Sequence, residues 1–265
     1  MKYCRFTFRG SARYGLVESS KGVERITHVL STPPEQVGKL KSVPAEQIEP
    51  LPFLETPLFT PVQPSKIVCV GRNYRGHAAE MGSEVPKEPL LFFKPPSSLL
   101  DPGHEIRRPS ISERVDYEGE LGVVIGKRCY KLPPKEDVHP YILGYTAVND
   151  VSARDFQKKD NQWARAKGFD TFCPVGPLVT DEIDPWKGVD VASRVNGQVR
   201  QQGNTRDFVF PLDALIHYIS NIMTLMPGDL LCTGTPEGVG PLVPGDVVEI
   251  SVEGVGTLRN PVVSN

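Results

Sequence analysis

The sequence predicts an α+β protein that is mostly β, with a small β-rich domain ahead of a larger one. Twenty-six prolines and twenty-four glycines punctuate the 265 residues closely. The apolar runs between them are short, which suits strands far better than long helices. Between Glu46 and Pro64 the prolines crowd together, at Pro50, Pro52, Pro57, Pro61 and Pro64. Proline has no N–H for a sheet ladder and a fixed φ, so this stretch reads as an extended connection. It divides the chain into residues 1–63 and 64–265.

Three short strands are expected in the first part, Tyr3–Arg9, Ala12–Glu18 and Glu24–Val29, separated by glycine-containing turns. The larger domain opens with Lys66-Ile67-Val68-Cys69-Val70, a strand stopped by Gly71. A short helix follows from Tyr74 to Met81, with Gly82 as its C-terminal cap. Leu90–Lys94 is the next strand, closed by Pro95-Pro96. Two apolar runs, Leu121–Gly126 and Tyr141–Val148, read as buried strands. Ser152 to Lys158 is expected to be helical, with the Ser152 side chain as N-cap. Asn196-Gly197 between Val191–Val195 and Gln198–Gln202 is a hairpin signal. Leu212, Leu215, Ile216, Ile219, Ile222 and Met223 recur at helical spacing. Pro227-Gly228-Asp229 and Pro244-Gly245-Asp246 are turns, each followed by a strand.

Composition narrows the function. The formal net charge is −2 with no long run of one sign, which argues against nucleic acid or an anionic membrane as partner. No apolar stretch reaches the ~18 residues of a membrane span, and the N-terminus does not lead into an apolar signal core. Cys4, Cys69, Cys129, Cys173 and Cys232 are odd in number and widely spaced, without a CxxC pair. They read as reduced, mostly buried thiols of a cytosolic protein.

Chemistry concentrates in Asp116-Tyr117-Glu118-Gly119-Glu120-Leu121. On a strand, Glu118 and Glu120 project to the same face, and carboxylates so close repel unless a proton or cation lies between them. Thirty residues after Glu120, the second apolar run ends in Asn149-Asp150. If the two strands pair, Asp150 completes a three-carboxylate oxygen site suited to Mg²⁺ or Mn²⁺. The same pattern also suits an exposed charged strand face, and spacing alone does not choose. His77 and Glu80, three apart on a helix, can form a carboxylate-oriented general base, or an ordinary surface pair. Arg154 and Gln157 have the same spacing and can grip a substrate carboxylate beside the ion, or lie on a solvated face with Lys158 and Lys159. Lys167 is a lone lysine between aromatics. Gly234-Thr235-Pro236-Glu237-Gly238-Val239-Gly240 lacks the ending of a phosphate loop, yet its N–H groups and the Thr235 hydroxyl could hold an anionic end of a small substrate.

These segments occur in one order together with Gly71-Arg72-Asn73-Tyr74, Leu91-Phe92-Phe93-Lys94-Pro95 and Phe169-Asp170-Thr171-Phe172-Cys173-Pro174. In that order the chain resembles the fumarylacetoacetate hydrolase family over about residues 66–263. The resemblance implies a mixed β-sandwich roll, a homodimer, and a Mg²⁺ ion for which Mn²⁺ or Ca²⁺ could substitute. It implies Glu118, Glu120 and Asp150 as metal ligands, and His77, Glu80 and Lys167 as catalytic residues. It further implies Arg72, Lys94, Arg154, Gln157 and Thr235 as substrate contacts. No acidic residue stands in Gly71-Arg72-Asn73-Tyr74, so the chain fits the three-carboxylate branch rather than members with a fourth carboxylate ligand. The N-terminal segment is similar to the accessory domain of bacterial members.

The activity expected is Mg²⁺-dependent hydrolysis of the C–C bond of acylpyruvate-type 1,3-diketo acids, through a metal-held pyruvate enolate. The same enolate serves the alternative, isomerisation or decarboxylation of 2-hydroxyhepta-2,4-diene-1,7-dioate or oxaloacetate, as in aromatic-acid breakdown. A catalytically silent metal-binding relative is the third reading. In each enzymatic case the partner is a small 2-oxo acid.

Overall fold

The computed structural model describes residues 1–38 and 42–265. Strand far outweighs helix, and the sheets are mixed, as expected. The largest sheet runs in the order Ala45–Pro52, Val23–Leu30, Ser11–Ser20, Lys2–Phe8, Cys173–Thr180, Ile142–Asn149, Gly119–Ile125, Leu230–Cys232, Ile67–Gly71, Leu90–Lys94. Leu230–Cys232 and Ile67–Gly71 pair in parallel. A second sheet holds Gln198–Asn204, Asp190–Val195, Val247–Val252, Gly256–Ser264 and Ile106–Arg108.

The two sheets face each other across one apolar layer. Leu121, Val123, Ala147 and Leu178 of the first meet Val191, Val248, Ile250, Leu258 and Val262 of the second. The opposite face of the large sheet is also covered, with Val124, Val148, Val175, Cys69 and Cys232 packed beside Tyr3, Tyr14 and Leu30. Strands buried on both faces read as continuous apolar runs rather than alternating ones, which is how Gly119–Ile125 and Ile142–Asn149 read.

Several local expectations meet their elements. The three N-terminal strands are Lys2–Phe8, Ser11–Ser20 and Val23–Leu30. Asn196 and Gly197 both have positive φ (53° and 76°), the geometry of a tight hairpin turn. Helix Leu212–Ile222 buries Leu212, Leu215, Ile216 and Ile219, while Ile222 at its end is exposed. Gly82 follows helix Arg75–Glu80 with φ 61°, and Ser83 N–H donates to Ala78 O behind it.

Two expectations change. The proline-rich stretch is extended, but Ala45–Pro52 within it is a strand at the sheet's edge, the position in a sheet that tolerates proline. Ser152 does not cap a helix. It lies in a short strand against Val115–Tyr117, its hydroxyl donates to Asp150 O, and the helix begins two residues later as Arg154–Lys159.

Candidate active site

Register builds the centre. Gly119–Ile125 and Ile142–Asn149 are antiparallel with Gly119 opposite Asn149, and Asp150 N–H donates to Glu118 O (2.9 Å). This brings Asp150 beside the two glutamates. One oxygen from each of Glu118, Glu120 and Asp150 lies within 4.8 Å of the others, and all three side chains are buried.

Buried charge demands compensation. Lys167 Nζ donates to Glu118 Oε2 (2.7 Å) and Asp150 Oδ2 (2.6 Å). Lys94 Nζ, buried behind the cluster, reaches Asp150 Oδ1 at 2.7 Å and Val151 O. Arg154 approaches Glu118 Oε1 through Nη2 (2.6 Å), donates from Nε to Asp116 (2.9 Å), and from Nη1 to Gln157 (2.8 Å). The fork is thus committed to protein partners on all three nitrogens.

The three carboxylates do not share this compensation equally. Burial alone would raise the Glu118 pKa, but Arg154 and Lys167 beside it outweigh burial and hold it well below the usual carboxylate range. Glu120 is pushed up, first by burial and then by the charges of Asp150 and Glu118. Among the described residues its one hydrogen bond comes from Gly234 N–H (2.8 Å). An anionic carboxylate facing two others, with one neutral donor, calls for a proton or a cation. Three buried oxygen donors in this state fit a hard divalent ion.

The cluster floors a cleft of about 270 Å³ lined also by Arg72, His77, Phe92, Arg154, Gln157, Lys158, Trp163, Lys167 and Thr235. Of the residues singled out in the sequence, Glu80 and Lys94 alone do not line it. Lys94 backs Asp150, and Glu80 lies outside His77. His77 Nδ1 is 3.5 Å from Glu80 Oε2, and its pKa is lowered, chiefly by burial. Arg72 holds φ 58°, an uncommon conformation for a side-chain-bearing residue. A larger open groove along Gly103–Arg107 and Phe169–Thr171 has exposed polar residues, with no buried ionisable cluster to focus chemistry.

The glycine-rich loop differs from expectation. Its N–H groups serve the protein's own carboxylates, Gly234 donating to Glu120 and Gly238 to Glu80. The Thr235 hydroxyl donates to Gly119 O (2.8 Å). Sequence reasoning also missed supporting residues. Asp116 is fully buried and anchors both Arg114 and Arg154. Asn73 ties the loop to the helix entrance through Thr233 O and Phe210. Asn149 accepts from Glu118 N–H, and Gln201 from Gly119 N–H. Asp116 alone had a signal, since Asp116, Glu118 and Glu120 alternate at strand period. Asn73, Asn149 and Gln201 carry no local pattern.

The mixed β-sandwich gathers three buried carboxylates, two lysines and an arginine under a small cleft, a donor set that would suit a cation. Comparison with known proteins specifies the class further. The model of the fumarylacetoacetate hydrolase C-terminal domain matches residues 66–263, and the chain belongs to that family. A 2,4-didehydro-3-deoxy-L-rhamnonate hydrolase from a Sphingomonas species is 40% identical, across 99% of this chain and 96% of its own length. The mitochondrial oxaloacetate tautomerase of Xenopus laevis is 45% identical, over 78% of this chain and 68% of its own. The crystal structure of 2-hydroxyhepta-2,4-diene-1,7-dioate isomerase from Mycobacterium marinum superposes with a TM-score of 0.86 at 38% identity, covering 100% of this chain and 99% of that one. The chain is an enzyme of this family.

Proposed function

We propose that the protein is a Mg²⁺-dependent hydrolase of acylpyruvate-type 1,3-diketo acids. The observation that carries this reading is the convergence of Glu118, Glu120 and Asp150, with Glu120 left uncompensated, in the same cleft as a neutral buried histidine. A divalent ion held by these three carboxylates would act as Lewis acid toward the carboxylate and 2-keto oxygen of a 2-oxo acid. The protein's own groups do the rest. His77 is the base, and its Nδ1 faces Glu80, so the other ring nitrogen takes the proton from water. The resulting hydroxide adds to the C4 carbonyl. The C3–C4 bond then breaks, its electron pair passes into the pyruvate enolate, and C4 leaves as a carboxylic acid. Protonation at C3 yields pyruvate.

Lys167 stays protonated, because Asp150 and Glu118 outweigh the effect of burial, and so supplies a fixed positive charge beside the developing enolate. Arg72, in the cleft wall and without an ion-pair partner among the described residues, is assigned to the substrate's acyl end. The hydrolase relative that aligns along nearly the whole chain supports this reading.

A second reading, tautomerisation or isomerisation of a dicarboxylic 2-oxo acid, is favoured by the tautomerase and isomerase relatives and by the small cleft. There His77 would move a carbon-bound proton and no water would attack. His77→Ala and Glu80→Gln separate the outcomes. Both should reduce diketo-acid hydrolysis at least 100-fold, a typical general-base contribution. Full activity in both would remove His77 as base. Selective survival of oxaloacetate turnover would show that the two reactions use different groups.

A further inference from the structure

We propose that Gln201 and Thr235 form a positioning clamp on Gly119 that fixes the spacing of Glu118 and Glu120, and with it the affinity for a divalent ion. The inference rests on the reading that these carboxylates hold such an ion.

Gly119 separates the two glutamates and is the most permissive residue a strand can place there. Its N–H belongs to the peptide plane shared with Glu118, and its carbonyl to the plane shared with Glu120. Rotation about either would swing one carboxylate away from the other. The neighbouring strand does not hold these groups, since pairing with Leu230–Cys232 begins only at Gly122. Side chains hold them instead. Gly119 N–H donates to Gln201 Oε1 (3.0 Å), and Gly119 O accepts from the Thr235 hydroxyl (2.8 Å).

Gln201 Nε2 then donates to Thr235 Oγ1 (2.7 Å) and to Pro236 O (2.7 Å), closing the ring. Gln201 and Thr235 are 1% and 2% exposed, so no water competes. The proton count allows one arrangement. Both amide hydrogens and the hydroxyl hydrogen are spent, and a flipped amide would set Nε2 against Gly119 N–H and Oε1 against Pro236 O. The Thr235 hydroxyl consequently has no hydrogen left to give a substrate. Glycine suits the clamp, because a Cβ at residue 119 would lie 3.3 Å from Gln201 Oε1 and 3.1 Å from Ile250 Cδ1, tight enough to press on the amide. Gln201 comes from the second sheet, so the clamp also ties ligand spacing to the packing of the sandwich.

The test is direct Mn²⁺ binding, followed by the paramagnetic resonance signal of the free ion and needing no turnover. Gln201→Leu and Thr235→Val should each weaken binding at least tenfold, as groups that orient metal ligands do. The double variant should lose little beyond either single one, since both break one ring. Thr235→Ser, which restores the hydroxyl, should bind as the wild type does. Asn260→Leu is the stability control. It removes a buried amide that holds Asp101 O and His104 O, and should lower thermal stability with Mn²⁺ affinity unchanged. Wild-type affinity in Gln201→Leu and Thr235→Val, or equal weakening in Asn260→Leu, would overturn the clamp alone. Absence of Mn²⁺ binding in the wild type would overturn the metal reading, and the clamp with it.

Discussion

Glu118 and Glu120 stand two residues apart yet meet opposite fields. Arg154 and Lys167 stabilise the charge on Glu118, whereas Glu120 faces burial and two negative neighbours. A carboxyl whose folded pKa is raised contributes stability below its unfolded value near 4.5 and loses that contribution as pH rises. Glu120→Gln should therefore raise the metal-free Tm at pH 8, with the advantage shrinking toward pH 4.5, while Mg²⁺ no longer raises the Tm. A metal-free Tm below wild type at pH 8 would contradict the assignment. His77 is shifted the other way, with burial disfavouring its charged form. The base is then already neutral at pH 7, and the acid limb of kcat/KM should lie below the ordinary histidine value of 6.5. A limb at or above that value would point to another group.

The loop from Gly234 to Gly240 joins the parts of the site. Gly234 reaches Glu120, Thr235 reaches Gly119, and Gly238 exchanges hydrogen bonds with Glu80 and Tyr117. Gly238 has φ 96°, and a Cβ there would lie 2.1 Å from the Arg200 carbonyl oxygen. Backbone strain of this kind costs about 1–3 kcal/mol. Gly238→Ala should lower Tm and also lower kcat/KM by at least tenfold, because the loop's shift releases Glu80. Unchanged kinetics would show that the Glu80 contact is incidental. The loop's glycines and its place after a strand were visible in the sequence. The use of its N–H groups was not, because their acceptors lie more than a hundred residues away. Helix 212–222 and the Asn196-Gly197 turn were legible for the converse reason, since periodicity and turn chemistry are local.

At the scale of the molecule, the sandwich packs every thiol away from solvent. All five cysteines are buried, and burial raises the Cys69 and Cys129 thiols to about 11. An aromatic disulfide reagent should titrate fewer than one thiol per native chain and all five in denaturant; rapid labelling of the native protein would contradict this packing. The three carboxylates were legible because strand pairing converts spacing along the chain into proximity. Of the groups that balance and hold them, Asp116 was marked only by its strand-period spacing with Glu118 and Glu120, and Asn149 and Gln201 by nothing, since a lone buried amide has meaning only once its distant partner is known. Among the described residues no helix is long and apolar enough to cross a membrane, in line with the composition. Cation-dependent chemistry on a 2-oxo acid can be read in a single assay. Purified protein would be supplied with acetylpyruvate, fumarylpyruvate, oxaloacetate and 2-hydroxyhepta-2,4-dienedioate, first with Mg²⁺ and then with EDTA. Loss of the diketo-acid enol absorbance with one pyruvate formed per bond broken, abolished by EDTA and restored by Mg²⁺, is the predicted result. Turnover that survives EDTA, or none on any of the four with Mg²⁺ measurably bound, would contradict it.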